Sequence, residues 1–417
     1  MEQNPKERRR LKTHHRLPVK VVVVLGTRPE AVKLFPVIRT LQGDDRFDVS
    51  VVTTGQHREM VAQILTPFGI ELLEDLDIMR LDQTLTDIVT GVMPRLDDVY
   101  SRVEPDIVIV QGDTTSAFAA GLSAFHRRIR VAHLEAGLRS FDRFHPYPEE
   151  SNRRMLSAVT DLHLAPTAPS AENLLREGVN RDEIVITGNT TIDSLLITLN
   201  TPDVQRDDGL PRLRDAHRLV LVTLHRRESW SVEPGADGDQ ELPLEAILRS
   251  IAQVARQYCD VDFVYPVHRN PRVREPAEKI LGGLDNVLLE EPLDYIPFVR
   301  LMARASVILT DSGGIQEEAP SLGVPVLVAR RTTERPEGLQ FGSSELVGTD
   351  PEAIEAALVK HLSAPPRPQH ALGEGSRPNP FGDGKAGERV AEALLYSLGF
   401  ADRPAEFAGL ASFEKSL

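Results

Sequence analysis

Short runs of consecutive apolar residues, each followed by a stretch with helical spacing, recur through this chain and leave it few folds to choose from. Val21 to Leu25 is five apolar residues closed by Gly26. Unbroken apolarity, rather than alternation, belongs to a strand buried on both faces, as in a parallel sheet. A helix from about Pro29 follows, with proline in the first turn where its missing N–H costs nothing. Further strands are expected at Val49–Thr53, Ile107–Gln111, Arg130–Leu134, Leu162–Ala165 and Ile184–Thr187. A second series runs through Leu219–Thr223, Phe263–Tyr265, Val287–Leu289, Val307–Thr310 and Val324–Val328. Strands alternating with helices mean stacked βαβ units.

At 417 residues the chain is too long for one ordinary core, so two domains are expected. Residues 1–19 read as a disordered basic tail, 20–200 as a first Rossmann-like domain and 201–217 as the connection between domains. Residues 218–364 form a second such domain, with Ser231–Glu241 as a surface insertion rich in glycine and acid. Residues 365–384 read as a linker, 385–400 as a helix packing back on the first domain, and 401–417 as a tail.

A formal net charge of -14 argues against nonspecific nucleic-acid binding, because a polyanion is repelled. Cys259 is the single cysteine, which excludes an internal disulfide or a CxxC pair and fits a reducing, cytoplasmic setting. Apolar stretches stop at about six or seven residues, far short of a bilayer span.

The polar residues that punctuate strand ends carry the chemistry, since ligands of open α/β sheets bind at the carboxyl ends of strands. Arg28 and Lys33 follow the first strand through Gly26-Thr27, either as solvated side chains or as a diphosphate clamp. No GxGxxG occurs there, so no nicotinamide cofactor is indicated. Asp311-Ser312-Gly313-Gly314 sits at another strand-to-helix turn, suited to an anion, with Glu318 one helical turn deeper. An acid-rich tight turn of no further purpose has the same sequence. Asp113 and Glu135 close successive strands, and Glu149 with Glu150 is read in a loop after Pro146 and Pro148. Asp113 also suits a helix N-cap. His225 closes the first strand of the second half, where a core histidine is the competing reading. Neither HExxH nor a close His/Asp pair is present, so no metal is expected, and no GxSxG elbow supports a covalent nucleophile.

These motifs resemble one family. Gly26-Thr27-Arg28-Pro29-Glu30-Ala31 with Lys33, Gln111-Gly112-Asp113-Thr114-Thr115, and His133-Leu134-Glu135-Ala136-Gly137-Leu138-Arg139 are similar to segments of the bacterial non-hydrolysing UDP-N-acetylglucosamine 2-epimerases. So are Pro148-Glu149-Glu150-Ser151-Asn152-Arg153, Gly188-Asn189-Thr190, His225-Arg226-Arg227-Glu228, Asp311 to Glu318, and Thr332-Thr333-Glu334-Arg335-Pro336-Glu337. The similarity runs in order from about Val21 to Leu398.

The resemblance implies a GT-B-like α/β fold, two Rossmann-like domains with parallel sheets facing across a cleft. It implies that Asp113, Glu135, Glu149 and His225 are catalytic. Arg28, Lys33, Phe298, Ser312, Gly313, Gly314, Glu318 and Arg335 would then bind the substrates, UDP-N-acetylglucosamine and UDP-N-acetylmannosamine. Gln56, His57, Arg227 and His268 match a regulatory site for a second UDP-N-acetylglucosamine, although Glu59 stands where some regulated members carry glutamine. Leu293 likewise replaces a glutamine found near the uracil in some members. The family implies a cytoplasmic homodimer without cofactor that supplies cell-surface polysaccharide synthesis.

Inversion at C2 is difficult directly, because no carbonyl stabilises a carbanion there. Loosening the C1–O bond to UDP first lets the ring oxygen stabilise cationic character at C1 and acidifies the C2 proton. Elimination to 2-acetamidoglucal and re-addition is therefore the expected route. A hydrolysing epimerase, a GT-B glycosyltransferase and a noncatalytic sugar-nucleotide sensor are the alternatives, and fold alone does not separate them.

Overall fold

The computed structural model describes residues 16–80, 82–201, 210–214, 217–225, 242–333, 335–365 and 378–409. The start of the basic tail, most of the domain connection, the Ser231–Glu241 insertion, Arg227, Glu334 and most of the linker fall outside them. The chain divides into two compact units, one holding the described residues through Ser194 and again from Phe381, the other those from Leu195 to Pro380.

The first unit is built on strands β1 (Val19–Leu25), β2 (Phe47–Thr53), β3 (Glu74–Asp75), β4 (Ile107–Gln111), β5 (Arg130–Leu134), β6 (Leu162–Ala165) and β7 (Ile184–Ile186). They form one sheet in the order β3-β2-β1-β4-β5-β6-β7, and each neighbouring pair is parallel. Helices α1 (Arg28–Gln42), α2 (Arg58–Leu65), α3 (Leu85–Val103), α4 (Thr115–His126), α5 (Glu149–Val159), α6 (Ala168–Arg176) and α7 (Thr190–Asn200) connect and follow them. Six of seven β1 residues are buried, as its unbroken valine run required.

The second unit repeats the plan. Strands β8 (Arg218–Thr223), β9 (Val261–Pro266), β10 (Val287–Glu290), β11 (Val307–Thr310), β12 (Val326–Val328) and β13 (Ser344–Leu346) take the order β10-β9-β8-β11-β12-β13, again all parallel. Its helices are α8 (Pro243–Gln257), α9 (Pro271–Leu281), α10 (Tyr295–Arg304), α11 (Gly313–Glu318), α12 (Pro336–Gln340) and α13 (Pro351–Ser363). Phe263, Tyr265, Ile247, Leu248 and Val220 lie at its core, fully buried. Full burial of a side chain of this size contributes about 1.5–3 kcal/mol. Both sheets reverse their strand order beside the first strand, the arrangement of Rossmann-like units in the GT-B class.

A last helix, α14 (Ala386–Leu398), returns to the first unit and packs on α1. Its first turn donates the Gly387 N–H to Asp193 Oδ1 of α7 at 2.8 Å. Two segments differ from expectation. Phe381, in the segment read as linker, is buried and accepts the Asn189 N–H through its carbonyl. Residues 401–409, read as tail, pack on β7: Glu406 pairs with Arg181 and the Phe407 N–H bonds to the Ile186 carbonyl. One aromatic ring and one ion pair anchor a segment that polar composition alone marks as free.

Candidate functional site

The reversal of strand order in the first sheet falls between β1 and β4, and the chain leaving both strands carries the expected polar residues. From β1 it passes through Gly26 into α1. Gly26 is required by close approach, because a Cβ there would lie 2.2 Å from Thr54 Oγ1. Glu30 then reaches back to accept the N–H groups of Gly26 and Thr27 at 2.8 and 2.7 Å and the Thr114 hydroxyl at 2.7 Å. This is the carboxylate half of a capping box. Burial pushes the Glu30 carboxyl up, against those hydrogen bonds. It therefore ties the β1 and β4 turns together, a role its sequence position did not announce.

Lys33, one turn along α1, places its Nζ 2.5 and 2.6 Å from the two oxygens of Glu135. The pair is largely enclosed, with side-chain exposures of 23% and 11%. Gln111, the last residue of β4, donates its side-chain amide to the same carboxylate. Glu135 itself sits at φ +65°, a left-handed conformation that is uncommon outside glycine and concentrates at functional sites. Beneath it, His133 Nε2 bonds the Gly112 carbonyl at 2.7 Å. Burial drives this imidazole's pKa down to about 4, so it is neutral near pH 7.

Asp113 follows β4 by two residues and faces Arg153 of α5, whose Nε and Nη2 lie 2.8 and 2.5 Å from its Oδ2. Asn152 donates to the Asp113 carbonyl at 2.9 Å. Glu149 and Glu150 are not in a loop. They open α5, where two carboxylates at a helix N-terminus are favoured by the unpaired N–H groups and the dipole. Pro148 stands at the N-cap, so the prolines that suggested a loop instead mark where the helix begins. Glu150 is completely buried and bonds Arg153 and the Ser140 N–H, whereas Glu149 is partly exposed. Glu149 Oε2 is buried with no hydrogen-bond partner among the described residues. Asp113, Glu135 and Lys33 thus share one end of one sheet, with α5 carrying Glu149 attached to it through Asp113.

Arg28 lies in the first turn of α1, and its N–H approaches His57 Nδ1 at 3.5 Å. Burial and the Arg28 charge lower the His57 pKa. Gln56 accepts from the Ser116 hydroxyl at 3.1 Å. Two of the expected regulatory residues are therefore held at the same strand ends as Arg28.

In the second sheet the reversal lies between β8 and β11. His225 follows β8, with its Nδ1 3.3 Å from an oxygen of Asp311 and its N–H 3.0 and 3.2 Å from that carboxylate. Asp311 is fully buried one residue after β11. Its sequence motif alone assigns it no role. The Asp311 carboxylate thus sits beside both the imidazole and the backbone of His225 and fixes how the ring is turned. The next residues, Ser312 to Gly314, open α11, and the Ser312 N–H bonds Thr310 Oγ1 at 2.9 Å. Arg335 crosses over this turn. A Cβ on Gly313 would sit 3.2 Å from its Cζ, so a larger residue there would press the guanidinium aside by a few tenths of an ångström. Its Nε bonds Glu317 Oε1 at 2.8 Å. Glu318 is buried in the same short helix, Phe298 is half-buried in α10, and His268 is exposed after β9.

Fold and site together define an enzyme of the doubly wound α/β class, with acids and a lysine at one strand-order reversal and a histidine, a glycine turn and an arginine at the other. Comparison with known proteins narrows the class. The family profile described as UDP-N-acetylglucosamine 2-epimerase matches residues 39–395. The UDP-N-acetylglucosamine 2-epimerase of Bacillus subtilis (strain 168) is 44% identical over 94% of this chain and 99% of its own. That of Yersinia pestis is 45% identical over 90% and 98%. The crystal structure of UDP-GlcNAc 2-epimerase from Neisseria meningitidis bound to UDP-GlcNAc superposes with a TM-score of 0.77 at 42% identity, covering 90% of this chain and all of that one. The chain belongs to the UDP-N-acetylglucosamine 2-epimerase family.

Proposed function

We propose that this chain is the non-hydrolysing form of the enzyme, interconverting UDP-N-acetylglucosamine and UDP-N-acetylmannosamine with UDP retained between two half-reactions. The observation that carries the proposal is the cluster at the first sheet's reversal: Asp113 on Arg153, Glu135 on Lys33 and Glu149 with a buried unpartnered oxygen. Moving a proton from one face of C2 to the other needs two acid–base groups, and this cluster supplies three carboxylates.

In the proposed mechanism the diphosphate is stabilised as it leaves C1 by Arg28, Lys33, His225, Arg335 and the Ser312–Gly314 turn. Donors fixed before the reaction stabilise developing charge without reorganisation. Phe298 packs against the uracil and Glu318 accepts from the ribose. One of Asp113, Glu135 and Glu149 takes the C2 proton as the C1–O bond lengthens, and another returns a proton to the opposite face of the glucal. The phosphate oxygen then re-adds at C1. Substrate and product are isomers, so no net redox change occurs and no cofactor is consumed.

Gln56, His57, Arg227 and His268 are proposed to bind a second UDP-N-acetylglucosamine that activates the enzyme. A cytoplasmic homodimer supplying a cell-surface polysaccharide completes the reading. No helix among the described residues is long and apolar enough to cross a membrane.

Product analysis tests the non-hydrolysing assignment. Purified protein with UDP-N-acetylglucosamine should give UDP-N-acetylmannosamine to a constant ratio, with UDP remaining attached. Stoichiometric free UDP and free N-acetylmannosamine would instead identify a hydrolysing enzyme.

A further inference from the structure

In the first unit, Asp113 is held by another element, α5, at both its backbone and its side chain. Its carbonyl accepts from Asn152 Nδ2 at 2.9 Å, and its Oδ2 receives Nε and Nη2 of Arg153 at 2.8 and 2.5 Å. The guanidinium is mostly enclosed, with a side-chain exposure of 16%. Its remaining arm, Nη1, lies 3.2 Å from Glu150 Oε2, a carboxylate of zero exposure that also accepts the Ser140 N–H at 3.0 Å. On the opposite side, neutral His133 holds the Gly112 carbonyl one residue before Asp113. Glu149, four residues before Arg153, lies on the same helix.

We infer that Arg153 is a positioning residue that locks Asp113 to the helix bearing Glu149, so that two acid–base groups from distant parts of the chain are presented as one rigid piece. The inference rests on the proposed catalytic role of Asp113. A guanidinium fork meets two carboxylates in fixed directions at once, which a lysine ammonium on a flexible stem does not. Glu150 and Ser140 fix one end of the fork, and Asp113 takes the other. Charged groups around the fork are Glu149, Glu150 and Arg154 on α5, with Glu135 and its partner Lys33 beyond the Gly112 turn. Arg153 therefore acts through Asp113 and need not touch the sugar.

The experiment compares R153M, R153K, D113N and the double variant R153M/D113N with the wild type, using UDP-N-acetylglucosamine carrying hydrogen or deuterium at C2. For R153M, kcat should fall by about 30-fold or more while KM stays within about three-fold, because an interaction needed in the transition state is lost. The C2 isotope effect should rise as proton removal becomes slower than the other steps. R153K should recover part of the rate, and the double variant should be no slower than D113N, since both changes act on one group. Thermal melting separates lost fold from lost chemistry, and R153K keeps the charge if R153M unfolds. R153K and R153M both within two-fold of wild type, or a double variant slowed by the product of the single effects, would overturn the inference. A D113N variant near wild-type rate would instead reject the role of Asp113 itself.

Discussion

Lys33 and Asp311 show what pairing does to a functional side chain. Each is bound to a group distant in sequence, Lys33 to Glu135 and Asp311 to His225, and each sits where the strand order reverses. In the proposed mechanism a diphosphate meeting Lys33 would meet a cation already shared with Glu135, so the two negative charges would be coupled through one ammonium. Replacing Asp113, Glu135 or Glu149 by its amide should lower turnover by about 10²-fold or more, within the range for acid–base groups. Steady-state rates of the three variants check this, and three near-wild-type values would remove the carboxylates from the mechanism. Asp311→Asn should lower kcat by about 10- to 10²-fold, because an amide beside Nδ1 no longer orients the His225 imidazole as the carboxylate does. An unchanged kcat in D311N would make Asp311 a structural cap only. That Asp113, Glu135 and His225 stand just past strand ends is legible in the sequence because the strands are, whereas Glu149 opens a helix. The partners Gln111, Arg153 and Asp311 are not legible there, since which side chain meets which depends on contacts across 24, 40 and 86 residues.

Among the elements, the central strands are legible in the sequence almost to the residue, and β4, β5, β6 and β11 begin and end at the residues expected from it. The short outer strands were missed. β3 is two acidic residues and β13 is Ser-Glu-Leu, so neither has an apolar run to announce it. Glu149 and Glu150, expected in a loop after Pro146 and Pro148, instead form the first turn of α5. Helix α14 carries a testable consequence. Burial raises the Asp193 carboxyl beneath its first turn to about 7, against hydrogen bonds from Gly387 and Ala386. The folded state therefore holds a proton there that the unfolded chain, titrating near the ordinary value of 3.8, has lost. Native protein binds more protons between these values, so this group's contribution to stability falls as pH rises from about 4 through about 7. Asp193→Asn keeps an acceptor for Gly387 without the charge. Its melting temperature relative to wild type should rise from pH 4 to pH 7. A constant difference across that range would contradict the assignment.

At the scale of the molecule, two units with the same strand order each bring polar residues to their own reversal point, and the two sets are chemically unlike. The first unit offers acids proposed to move protons, and the second a histidine, a glycine turn and an arginine proposed to hold a diphosphate. Such a division fits a reaction in which a leaving group is held while a proton changes faces on the sugar. The most direct measurement follows that proton. In heavy water, with UDP-N-acetylglucosamine alone and no acceptor, proton NMR should show loss of the C2 proton signal from both UDP-sugars. Deuterium should enter at C2, and UDP-N-acetylmannosamine should accumulate. Epimer formed with its original C2 proton fully retained, or substrate consumed without epimer, would contradict the account.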